Sequence, residues 1–89
     1  MDYVIAIPSH NRAIDINKKT IKMLLNYGIN PKKIYVFVVE EQQEEYKKYL
    51  NPKINLVKGK EGIKGNRLAI SQYFKENQLI VSIDDDIRE

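Results

Sequence analysis

The chain of 89 residues contains no cysteine, which removes disulfides, thiolate nucleophiles and the usual structural zinc clusters, and gives no support to a stapled, secreted fold. It has a single histidine, His10, so a metal site built on imidazoles is not expected. A long apolar stretch is missing from its start. The opening "MDYVIAIPSH" has no basic leader and stops at Pro8 after a few apolar residues, so neither a signal peptide nor a membrane span is expected. A soluble, cytoplasmic protein follows as the expectation. Glycine and proline are sparse, at four and three, while 43% of residues are hydrophobic and 30% charged. That balance reads as globular rather than disordered. A chain of this length is one domain, and it buries only roughly 60% of its unfolded surface.

The formal charge of +3 is weak evidence for nucleic acid, but its distribution says more. From Lys47 to Arg67 there are seven basic residues against Glu61 alone, directly after the acidic block of Glu40, Glu41, Glu44 and Glu45. Basic residues in the middle stretch could face a phosphate.

"YVIAI", from Tyr3 to Ile7, is a nearly continuous apolar run closed by Pro8, the pattern of a strand buried on both faces. After the polar turn "PSHNRA", residues Ile21, Leu24, Leu25 and Gly28 recur at helical spacing, with Asp15 a candidate cap and Gly28 closing the helix. The order then repeats. "IYVFVV" from Ile34 to Val39 is a second strand, followed by a short charged helix with Tyr46, Tyr49 and Leu50 on one side. "INLV" from Ile54 to Val57 is a third. A glycine- and lysine-rich segment, "KGKEGIKG", leads into a helix with the stripe Ala69, Ile70, Tyr73 and Phe74, and "QLIVSI" is the fourth strand. Strands alternating with helices predict an α/β unit with a mostly parallel sheet and right-handed crossovers. Ligands of such sheets bind beyond the carboxyl ends of the strands, where "PSHNRA", "EE", "KGKEGIKGNR" and "DDD" all fall.

Three adjacent acids after a buried strand repel one another unless a counter-charge sits among them. Extended geometry through "SIDDDI" would put Asp84 and Asp86 on one side and Asp85 on the other. Two such carboxylates can share magnesium or manganese, which then bridges to substrate phosphates. Gly65, Asn66 and Arg67 are expected to open the last helix, where free N–H groups favour an anion and Arg67 adds a bidentate phosphate contact. Arg12 falls at the same edge and could meet a base or phosphate. Glu40 and Glu41 could accept from a nucleobase or ribose, and His10 could stack on a base. No general base is assignable. A P-loop is excluded, because "GKEGIKGN" has the wrong spacing, no hydroxyl after its lysine, and a place before the fourth strand.

"VIAIPSHNRA", then "KGNRLAI", then "LIVSIDDDI" together resemble the nucleotide-sugar-binding half of GT-A fold glycosyltransferases (family 2-like). The resemblance implies a Rossmann-like three-layer unit with four mostly parallel strands in the order 3-2-1-4. It also implies a donor half-domain over residues 1–89, truncated after the Asp-x-Asp motif, so that the isolated chain is not expected to be catalytically complete. By this resemblance Pro8, Ser9 and Arg12 belong to the nucleoside loop, Glu40 to the base contact, and Gly65, Asn66 and Arg67 to the segment beside the diphosphate, with Asp85 a further binding residue. Asp84 and Asp86 would hold manganese or magnesium. The implied partner is a nucleoside-diphosphate sugar; no residue marks an acceptor, nucleic acid is not expected, and a sheet cut short could self-associate. Two departures stand out: "GNRLAI" inverts the common order of arginine and asparagine, and Glu40 stands where an aspartate often meets the base. The competing readings are a nucleotidyltransferase-like sugar-phosphate enzyme fragment and a non-enzymatic α/β binding module.

Overall fold

The computed structural model describes residues 3–85 of the chain. Four strands form one sheet: β1 (Tyr3–Pro8), β2 (Ile34–Val38), β3 (Asn55–Lys58) and β4 (Leu79–Ser82). Their order is β3-β2-β1-β4, and every pairing is parallel. The strands are rich in β-branched and aromatic residues, and β2 alternates between two apolar layers as a central strand must. Ile34, Val36 and Val38 enter one core, and Tyr35 and Phe37 the other.

The first core is covered by two helical connections. α1 (Ala13–Ile16) runs through a π-helical segment, Asn17–Ile21, into α2 (Lys22–Asn26), and α3 (Gln43–Tyr49) follows β2. Ala13, Ile16, Ile21, Leu24, Tyr46 and Leu50 bury this face against Ile5, Ile7, Val36 and Val38. Asp15 is not the cap: the helix begins at Ala13 after Arg12, and Asp15 lies in its first turn, where a carboxylate suits the exposed N–H groups. Gly28 closes the helix as expected. Its N–H donates to the Leu25 carbonyl and that of Ile29 to the Leu24 carbonyl, the paired bonds of a Schellman ending.

α4 (Gly62–Tyr73) lies on the opposite face, where Ile70, Ala69 and Phe74 pack on Ala6 and Phe37. The side switch follows from handedness, because a chain that steps outward from β1 to β3 can return to the far side of β1 by a right-handed crossover only over the other face. α4 also starts earlier than its glycines suggest. Gly62 to Asn66 are helical, so Gly65, Asn66 and Arg67 sit inside the first two turns instead of opening them. Gly62 enters the helix at φ +78°, a left-handed conformation that suits glycine, and Gly65 within it disfavours helix by about 1 kcal/mol; the packed Ile70 stripe and a buried anchor at Asn66 override that local preference.

β4 is an edge strand, and Leu79 and Val81 are exposed there. Its pairing with β1 continues one residue past the strand through the Ile83 N–H, which donates to the Ala6 carbonyl. The extended alternation expected through the aspartates ends there, with Asp85 in a turn. Among the described residues no helix is long and apolar enough to cross a membrane.

Candidate functional site

The order of the sheet reverses between β1 and β4, and a parallel sheet leaves room for a ligand beyond that point, because the connections after β1 and after β3 run over opposite faces. A cleft of about 690 Å³ opens there. Pro8, Ser9, His10 and Arg12 line it from the end of β1, and Val39 from the end of β2. Lys60, Glu61, Gly62, Asn66 and Arg67 line it from the start of α4, and Asp84 and Asp85 from beyond β4. Glu61 gives α4 no side-chain cap.

The floor of the cleft is a directed chain of hydrogen bonds. Ser9 Oγ donates to Asp85 Oδ2 at 2.8 Å. A carboxylate only accepts and a hydroxyl has one proton, so at its 2.7 Å contact with Tyr46 Ser9 accepts from the phenol. The phenol oxygen in turn accepts from the Arg12 backbone N–H at 3.0 Å. The polarity is thus set from Arg12 N–H to Tyr46, to Ser9, to Asp85. Tyr46 is fully buried. Burial pushes its phenol above the ordinary value of 10.0, and the charges of Asp85 and Glu45 add to the rise, while the contacts with Ser9 and Arg12 oppose it. The phenol therefore keeps the proton that the chain needs.

Asp85 closes the network with its second oxygen. Oδ1 lies 3.6 Å from Arg12 Nε, and the Arg12 side chain is 45% exposed against 15% for Asp85. The carboxylate is inside, and the guanidinium reaches outward from it. Asp84 faces the other way in role: its side chain is exposed, and its backbone carbonyl accepts from Thr20 Oγ1 at 2.9 Å. Thr20 lies in the π-helical segment and is fully buried. A π turn widens the helix by one residue, and here it carries the hydroxyl that ties the acidic tip to the helix.

Asn66 anchors the opposite wall. Its Nδ2 donates to the Phe37 carbonyl at 3.0 Å, an oxygen that also accepts the Ser9 N–H at 3.0 Å. The Asn66 side chain presses on Gly59, where an added Cβ would come within 2.1 Å of Oδ1. Only glycine fits this approach. Gly59 N–H donates to the Val38 carbonyl at 2.7 Å, so β2, the loop and α4 are locked together at this point.

Of the residues singled out in the sequence, Pro8, Ser9, His10, Arg12, Asn66, Arg67, Asp84 and Asp85 meet at the cleft. Glu40 does not line it and pairs with Lys58 at 3.3 Å on the exposed surface. Gly65 turns toward Lys60, where its Cβ would meet the lysine stem at 3.3 Å. Asp86 lies outside the described residues. Tyr46 reads in the sequence as helix core, which it is, but its hydroxyl also supports the site. Lys60 and Glu61 belong to the glycine- and lysine-rich segment marked in the sequence, whereas Thr20 carried no motif. His10 and Asn11 are held by Gln42, whose Oε1 accepts the Asn11 N–H at 2.9 Å; Gln42 also escaped notice, because nothing local distinguishes it from its neighbours.

Among the described residues no group of three or more ligating side chains could hold a metal. Both oxygens of Asp85 are engaged. Asp84 adds an exposed carboxylate at the same rim.

Comparison of the chain with protein-family models, curated proteins and solved structures finds no match. The structure is a small α/β domain with a parallel sheet in Rossmann-like order, consistent with a nucleotide- or ligand-binding module and not specific to GT-A glycosyltransferases.

Proposed function

We propose that this domain is an α/β binding module whose cleft takes a nucleotide-like ligand, a phosphate-bearing group at one end and hydroxyls at the other. The observation that carries the reading is the mixed lining of one cleft at the reversal of the sheet order. Arg12 and Arg67 line it from the β1 loop and the start of α4, Lys60 turns its ammonium to Gln72 at 3.4 Å, and Glu61 and Asp84 add carboxylates that accept hydrogen bonds from hydroxyls. A bare anion would use only the cations, and a nucleic-acid strand would meet repulsion from the acids. A molecule with both phosphate and diol uses both sets.

The finer form of this reading is the donor-binding portion of a glycosyltransferase that uses a nucleoside-diphosphate sugar. The strand order and the position of Ser9, Arg12, Asn66 and Arg67 support it. It adds manganese or magnesium at Asp84 and Asp86.

Calorimetric titration of the purified chain with uridine diphosphate and adenosine diphosphate, in chelator and then in manganese, tests both forms. Saturable binding that falls roughly tenfold in Arg67→Ala, the worth of one charge-assisted phosphate contact, supports the module. Manganese-dependent tightening that disappears in Asp84→Asn supports the donor-sugar form. Absence of saturable binding under either condition sinks the proposal, and salt-sensitive binding to single-stranded nucleic acid without diphosphate binding replaces it with a nucleic-acid module.

A further inference from the structure

The geometry points to Asp85 as a positioning residue that presents Arg12 to the phosphate of the ligand. This rests on the nucleotide reading above for its ligand, but not for its geometry. An acid beside an arginine in an anion site ordinarily weakens the site, because it neutralises the cation that the ligand needs. Three observations reverse that expectation here.

First, Asp85 does not reach the cleft as a free charge. Its side chain is 85% covered, on the 15% exposure of that group, and Oδ2 is committed to Ser9. Second, Ser9 cannot turn away, because its oxygen is held by the buried Tyr46 phenol and its N–H by the Phe37 carbonyl. The orientation of Asp85 is therefore inherited from the core and not from the surface. Third, Oδ1 meets Arg12 at Nε, the stem side of the guanidinium. The pair of terminal Nη groups forms the opposite edge of that planar fork, and an Nη pair is what takes a phosphate in a two-bond contact. A freely rotating arginine loses side-chain entropy when it closes on a ligand. The ion pair at Nε, at 3.6 Å longer than a hydrogen bond, restrains the Arg12 side chain without locking it, and its backbone is fixed through the N–H bond to Tyr46.

The two roles for Asp85 give opposite signs. As a mere local charge it repels the anion, so its removal tightens binding; as a positioning residue its removal weakens binding. The probe is inorganic pyrophosphate in chelator, which excludes any metal contribution of the acidic tip. Asp85→Asn is the first variant, because an amide oxygen still accepts from Ser9. Affinity is expected to fall between about threefold and tenfold, while Asp85→Asn adds no further loss in an Arg12→Ala background. The side-chain Nε–H resonance of Arg12 in a nitrogen-labelled sample reports the geometry without a ligand. It is expected to be resolved in the parent and exchange-broadened in Asp85→Asn and in Ser9→Ala, which leaves the charge of Asp85 but releases its orientation. Unchanged or tighter pyrophosphate binding by Asp85→Asn overturns the assignment, as does an Arg12 resonance that neither variant alters. If the parent binds no pyrophosphate, the phosphate role of Arg12 is overturned, the nucleotide reading stands or falls on the nucleoside diphosphate titration, and the Nε–H resonance alone decides whether Asp85 orders Arg12.

Discussion

Replacing Tyr46 by phenylalanine removes one oxygen from the centre of the molecule and leaves its ring in place. The oxygen serves two partners, donating to Ser9 at 2.7 Å and accepting the Arg12 N–H at 3.0 Å. The side chain is fully buried. A hydrogen bond contributes about 1 kcal/mol net, and a buried group left unpaired costs about 1–3 kcal/mol, so the two losses together come to about 2–3 kcal/mol. A domain of this size has a total stability of only about 4–13 kcal/mol at the usual value per residue. Urea unfolding followed by circular dichroism should show the midpoint moving down with the slope unchanged. Tyr49→Phe is the control on the same helix; Tyr49 is exposed, and surface substitutions of this kind stay within about 0.5 kcal/mol. The cycle with Ser9→Ala should show strong coupling, because both changes break the same chain of bonds. Tyr46→Phe unfolding at the midpoint of Tyr49→Phe would refute the directed network.

The same phenol sets a pH dependence. Its folded value is raised above the ordinary 10.0, so its contribution to stability is present in full below that value and is lost as pH rises through the folded one; the alkaline fall in unfolding midpoint should be steeper in the parent than in Tyr46→Phe. Gly59→Ala places a methyl 2.1 Å from Asn66 Oδ1 and either strains the core or expels the Asn66 amide from the Phe37 carbonyl, at about 1–3 kcal/mol, read as a lower thermal midpoint. Thr20→Val keeps the shape but removes the bond to the Asp84 carbonyl, and should lower stability by about 1 kcal/mol and speed amide exchange at Ile83 to Asp85. Equal exchange in both proteins would show that the π turn does not hold the acidic tip.

The arrangement of elements was legible because it rests on short-range signals. "YVIAI" and "IYVFVV" have the uninterrupted apolar character of strands covered on both faces, and the spacing of Ile21, Leu24 and Gly28 marks the helix and its end. The order 3-2-1-4 was implied by the resemblance and not by periodicity, and the place of α4 on the other face follows from handedness once that order is known. The start of α4 was less legible, since Gly62 and Gly65 argue locally for a loop, and only the packing of Ile70 and Asn66 makes that stretch helical. Glu40 illustrates the same limit: its position at the end of β2 is apparent from the chain, but the choice between the cleft and Lys58 belongs to the turn that follows.

By itself the amino-acid pattern determined the alternation of strands and helices and the edge at which Ser9, Arg12, Arg67 and Asp85 would gather, because periodicity acts over a few residues at a time; the order of the strands was implied by the resemblance alone. Tertiary structure alone decided what those side chains do to one another. Ser9 and Asp85 stand 76 residues apart, and Arg12 and Tyr46 stand 34 apart. A hydrogen bond requires its partners within a few tenths of an ångström, and that precision comes only when the packed core has fixed every backbone between them.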